Sequence, residues 1–185
     1  RLAKSPVFES AANFNFGDPA QRSKLTPLMG SINAAGAAEK DAAAFVAWLD
    51  ARPQVDRKKN IGTQGYCMGG PMAFRTAAAM PDRVGAVASF HGGGLVTNMP
   101  NSPHLQASQT KAQFLIAIAT NDDMQRPNEK TVLKDTFEKA KLPAEIEVYA
   151  GAMHGWCAID SQVYNRDAAE KAWARLLVHL KKALV

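Results

Sequence analysis

The sequence predicts an α/β fold: a mostly parallel sheet with helices on both faces. Three observations carry this. Apolar or alternating runs at 61–66, 84–90, 113–119 and 145–149 read as strands. Stretches with helical character lie between and after them, at 68–80, 127–141 and 167–184. The run Gln113-Phe114-Leu115-Ile116-Ala117-Ile118-Ala119 is apolar almost throughout, as a strand covered on both faces requires.

Taken in order, the chain opens with an irregular segment over 1–36, where Phe, Asn, Gly and Pro mix without period and Pro19, Pro27 and Gly30 punctuate. At most short helical turns are expected there. Over 37–52 the composition turns to Ala, Glu and Lys, and Ala38, Phe45, Val46 and Leu49 recur at helical spacing until Pro53. The strand at 61–66 and the helix at 68–80, closed by Pro81, follow. Next come the strand at 84–90, a glycine-rich loop and the long apolar strand at 113–119. Pro127 sits near the first turn of the next helix, a position proline favours. After the strand at 145–149, Asp167 and Glu170 are spaced as a capping box for the last, amphipathic helix. No repeat or linker divides the chain, so one domain over 1–185 is expected.

Composition excludes several classes. The 185 residues are 46% hydrophobic and 21% charged, as in an ordinary globular domain. No apolar run approaches a membrane span, and no secretory pattern is present. The net charge of +5 reads as a lysine-rich surface, since the one basic cluster, Arg57-Lys58-Lys59, lacks interleaved aromatics. Neither nucleic acid nor membrane is expected as a partner. Cys67 and Cys157 read as two free thiols, which points to a reducing, cytoplasmic setting. The histidines show no metal-ligand spacing with them, and no phosphate-binding glycine motif is present, so no metal or other cofactor is expected.

The chemistry concentrates at Gly65-Tyr66-Cys67-Met68-Gly69-Gly70. Between a strand and a helix this reads as a nucleophile elbow with cysteine in the place of serine. Gly65 and Gly69 allow the backbones to pack closely at the turn, and the following helix N-terminus favours a thiolate. In α/β-hydrolases the acid and then the histidine follow the nucleophile, each after its own strand. Here Asn121-Asp122-Asp123 follows 113–119, and His154, in Gly151-Ala152-Met153-His154-Gly155-Trp156, follows 145–149. The roles follow: Cys67 attacks, His154 moves the proton, an aspartate orients the imidazole, and the Met68 N–H donates to the oxyanion. Tyr66 and Trp156 flank these groups; both are candidate walls of a substrate pocket, and Trp156 reads equally as core packing.

These motifs resemble the dienelactone hydrolase family, which has G-x-C-x-G-G at the elbow, an acid loop commonly followed by proline and an H-G-[FW] loop. The resemblance runs from about Ala37 to the C-terminus. It implies an α/β-hydrolase fold and cleavage of small esters or lactones without a cofactor. It places the acid four residues before the proline, which selects Asp123 over Asp122. It also implies basic anchors for a substrate carboxylate. None follows His154, so Arg1 and Lys4 are the candidates. Because no strand precedes the helix at 37–52, the elbow strand is expected at a sheet edge, with N-terminal strands of the domain lying upstream of this chain. The competing reading is a non-catalytic remnant of the fold, or a thiol-reactive binding protein. His91-Gly92-Gly93-Gly94 resembles a lipase oxyanion motif but follows the nucleophile, so it reads as a loop near the site. Cys157 reads as a packed bystander. Phe14 and Phe16 are candidates to reach over the pocket.

Overall fold

The structure, a computed structural model, describes residues 18–32 and 34–185. The chain divides into two compact units, Arg1–Asp41 and Ala42–Val185. In the first, α1 (Pro19–Ile32) is a 14-residue helix that contains Pro27. This corrects the expectation of an irregular segment. Asp18 caps the helix, its carboxylate accepting from the Ala20 amide at 2.8 Å, and Pro19 occupies the first helical position. Proline is a helix starter there, not a breaker. Helix α2 (Ala37–Asp50) begins in this unit and ends in the second, where Ala42 and Val46 are buried.

The second unit is built on four parallel strands in the order β1 (Ile61–Tyr66), β2 (Val84–Phe90), β3 (Gln113–Ala119) and β4 (Ala144–Tyr149). Every strand predicted from sequence is present. Strands β2 and β3 are nearly continuously buried, whereas β1 alternates between half-buried and exposed. Among the described residues β1 pairs with β2 alone.

Successive side chains of a strand point to opposite faces, and two cores result. On one face Val84 and Val87 of β2 and Phe114, Ile116 and Ile118 of β3 meet α3 (Gly69–Ala79) through Ala73, Phe74 and Ala77. Leu133 and Phe137 of α5 (Glu129–Ala140) join them. On the other face Ala88 and Phe90 of β2 and Leu115, Ala117 and Ala119 of β3 pack with Ala172 and Leu176 of α6 (Arg166–Leu184). A short helix, α4 (Thr120–Gln125), follows β3 directly. The capping box expected at Asp167 and Glu170 is not the cap used. Asn165 caps α6, its side-chain oxygen accepting from the Ala168 amide at 3.1 Å.

The register positions the chemistry. Tyr66 stands opposite Phe90, Phe90 opposite Ala117, and Ala119 opposite Tyr149. The four strands therefore end nearly level, and the segments beginning at Cys67, His91, Thr120 and Ala150 emerge side by side at one edge of the sheet.

Candidate active site

Cys67 follows β1 with φ +53, the left-handed region that non-glycine residues rarely adopt. Its amide donates to the Phe90 carbonyl at 3.1 Å, and its own carbonyl accepts from the Gly70 amide at 3.1 Å. These bonds close a tight turn that leaves the cysteine exposed ahead of α3, whose N-cap is Met68. The glycines make the turn possible. A Cβ on Gly65 would lie 1.9 Å from the Gly69 carbonyl oxygen, a contact no side chain survives. At Gly69 a Cβ would meet nothing within 4 Å, so the close packing expected of that residue belongs to Gly70. A Cβ there would come within 2.5 Å of the Ser89 hydroxyl and 2.9 Å of Gly92 Cα.

The acid and histidine loops are stitched together. The Thr120 amide donates to the Ala152 carbonyl at 2.8 Å, and its hydroxyl donates to the Tyr149 carbonyl at 2.9 Å while accepting from the Gly151 amide at 2.9 Å. The Asn121 side-chain oxygen accepts from the His154 amide at 2.8 Å. Within this frame His154 Nδ1 lies 2.7 Å from Asp122 Oδ2. A carboxylate accepts only, so Nδ1 donates and Nε2 is the nitrogen turned away from the acid.

The aspartate chosen from proline spacing is not the one that meets His154. Asp123 turns away from His154, and both its oxygens accept from Lys130 Nζ at 2.7 Å. The two aspartates are consecutive in helix α4, where neighbouring side chains diverge by about 100°. Asp122 faces inward and is buried, and Asp123 faces α5.

Between elbow and histidine sits His91, which the sequence placed no nearer than a loop by the site. It is buried and has φ +40. Its Nδ1 accepts from the Cys67 amide at 3.2 Å, and its ring centroid lies 4.9 Å from that of His154. Burial first, then the neighbouring His154, pushes its pKa down to about 4, so the ring is neutral at ordinary pH. The contacts of Thr120, Asn121 and His91 emerge only once the strand ends are aligned; the sequence marked Asn121 and His91 only as members of loops near the site, and Thr120 not at all.

The remaining candidates separate. Trp156 is fully buried, stacked on Tyr149 at 5.2 Å and edge-on to His91 at 5.0 Å. It is core, not a pocket wall. Tyr66 lines a cleft of about 420 Å³ with Phe90, His91, Cys157, Tyr164 and Trp173, a lining that includes neither Cys67 nor His154. Burial pushes the Tyr66 hydroxyl pKa up, and that of the Cys157 thiol up to about 11, so both stay protonated. Arg1, Lys4, Phe14 and Phe16 lie outside the described residues. Among the described residues, no cluster of metal-ligating side chains occurs, and no helix is long and apolar enough to cross a membrane.

The sequence model of the dienelactone hydrolase family matches residues 7–184. The carboxymethylenebutenolidase of Rhodococcus opacus is 29% identical over 133 residues, covering 70% of this chain and 53% of that protein. Across such curated relatives the chain spans about half of their length, from 45% to 53% for three of them. Among solved structures, a dienelactone hydrolase-like promiscuous phosphotriesterase from metagenomic libraries superposes with a TM-score of 0.73 at 20% identity, over 91% of this chain and 70% of that one. At that identity the likeness concerns the fold.

Proposed function

The chain belongs to the dienelactone hydrolase family, and on that premise we propose that its site cleaves small carboxylic esters or lactones through Cys67, His154 and Asp122. The observation that carries this reading is the contact chain at the strand ends. His91 bonds the Cys67 amide and packs on His154, and His154 is held by Asp122. One imidazole thus touches both the elbow and the ring that would serve it.

The steps follow from the protonation pattern. His154 Nε2 takes the Cys67 thiol proton, and the sulfur attacks the carbonyl carbon. Asp122 holds the imidazolium that forms. The oxyanion accepts from the Met68 N–H, the donor an elbow offers just after its nucleophile. Collapse expels the alkoxide, which takes its proton from His154 and leaves a thioester on Cys67. Water then gives a proton to His154 and attacks the thioester, releasing the carboxylic acid and restoring the thiol. In a lactone the alkoxide and the acyl group are one molecule, and a hydroxy acid leaves. No step calls for a cofactor.

The test is hydrolysis of an aryl acetate and of a small enol lactone, before and after iodoacetamide. Loss of both activities with the label on Cys67 supports the reading. Activity that survives stoichiometric alkylation of Cys67 sinks the Cys67 mechanism, and no hydrolysis from a chain whose Cys67 still takes the label favours a non-catalytic, thiol-reactive protein.

A further inference from the structure

His91 is an expensive residue to keep where it stands. Its backbone is left-handed at φ +40, a region uncommon for non-glycine residues although histidine enters it more readily than most. The ring is buried, and its Nε2 has no hydrogen-bond partner. A buried polar atom without a partner costs free energy, and an apolar side chain of similar size would escape that cost. What the imidazole does gain is specific. Nδ1 accepts from the amide of Cys67, which also donates to the Phe90 carbonyl, so the one N–H is shared between β2 and the histidine that follows it. Accepting at Nδ1 requires the neutral ring to carry its proton on Nε2. The ring meanwhile packs against His154, tilted by 59° with centroids 4.9 Å apart, and against Trp156 in a T-shaped contact at 5.0 Å.

We propose that His91 is a positioning residue for this site. Its Nδ1 fixes the backbone of Cys67 in the elbow, and its ring sets the orientation of His154, so that nucleophile and base are aligned by one neutral imidazole. The inference rests on the roles given above to Cys67 and His154. Its backbone is itself anchored, the His91 amide donating to the Ala117 carbonyl of β3 at 2.8 Å. The titratable groups around the ring are His154 and Asp122 from the two loops, Cys67 and Tyr66 from the elbow, and Cys157 and Glu170, which line the same cleft. A ring that became charged would lose its acceptor and oppose the imidazolium that His154 must form.

The test compares the full chain with His91→Leu and His91→Asn. Asparagine tolerates a left-handed φ, and its Oδ1 can accept where Nδ1 does; leucine can do neither. Expected for His91→Leu is a roughly tenfold slower alkylation of Cys67 by iodoacetamide at pH 7, the weight of about one hydrogen bond. Aryl acetate kcat should fall equally, with KM unchanged within twofold. His91→Asn should recover both rates to within about threefold. Long-range ¹H–¹⁵N spectra of the wild-type ring nitrogens should show His91 neutral at pH 6, with its proton on Nε2. Should His91→Leu fail to fold, His91→Asn and the wild-type spectrum decide. The proposal is overturned if a folded His91→Leu matches wild type, if His91→Asn is as slow as His91→Leu, or if the ring is protonated on Nδ1 at pH 6. A wild-type chain that hydrolyses no ester but shows the expected alkylation rates and spectrum would remove the hydrolase reading and leave this one standing.

Discussion

Replacing Asp122 by asparagine keeps the shape of the acid loop and removes one charge. That charge sits 2.7 Å from His154 Nδ1 and is buried. When Cys67 gives up its proton, His154 becomes an imidazolium whose charge is centred roughly 4 Å from the carboxylate. At an effective dielectric of about 20 such a pair is worth about 4 kcal/mol. At about 1.4 kcal/mol per decade, its loss slows acyl transfer about 1000-fold. Asp123 offers no substitute, because Lys130 already neutralises it and it faces α5. Asp123→Asn should therefore leave kcat within about threefold and cost at most about 1 kcal/mol of stability, as a partly exposed ion pair does. The assay is stopped-flow release of the aryl alcohol from an aryl acetate at pH 7.5, with circular dichroism to confirm folding. A folded Asp123→Asn that loses the larger share of activity, with Asp122→Asn near wild type, would refute both the weight given to the Asp122–His154 charge pair and the assignment of the acid.

Three further outcomes are expected. Gly65→Ala forces a Cβ against the Gly69 carbonyl and should cost about 2–3 kcal/mol, read as a fall in Tm of roughly 5–10 °C; an unchanged Tm would mean that the elbow is not this tight. Iodoacetamide at pH 8 should label exposed Cys67 well before Cys157, whose thiol burial holds at about 11, and peptide mass spectrometry that finds Cys157 labelled first would contradict the packing around it. His91 is depressed in the fold to about 4, so between there and its ordinary range near 6.5 the unfolded chain binds the extra proton. Its contribution, on the order of 3 kcal/mol, is complete above about pH 6.5 and is lost as the pH falls toward 4. Urea titrations at pH 7 and pH 4.5 should show a smaller acid loss for His91→Asn than for wild type, and equal losses would rule the linkage out.

The alternation of strands and helices was legible because parallel strands covered on both faces must be apolar runs, and 113–119 is one of them. The elbow was legible because its turn has no room for a Cβ at Gly65 or Gly70, and the order of cysteine, acid loop and histidine is a property of the chain itself. What sequence spacing cannot report is the direction of a side chain. Asp122 and Asp123 are one residue apart, and the turn of helix α4 decides which one meets His154. Trp156 follows the histidine as a pocket wall would, yet the turn sends it under Tyr149. Helix α1 was missed for a different reason: it lacks an apolar period, and its prolines read as breakers although one of them starts it. His91 was legible only as the head of a glycine-rich loop near the site, because its contacts depend on β2 ending beside β1.

The unequal burial of the strands divides the site mechanically. Strand β3, paired on both sides and buried, carries the acid loop, which Thr120 and Asn121 bind to the histidine loop. Strand β1, half-exposed and bonded to β2 alone among the described residues, carries Cys67. Backbone amides in such a strand open by local fraying, whereas those in a buried central strand open only with the whole fold. In deuterated solvent the amides at 61–66 should therefore exchange long before those at 113–119. Cys67 and His154 thus follow the two end strands of the four, Asp122 follows a buried central one, and the Cys67 amide bonds to Phe90 and His91 tie the elbow to that centre.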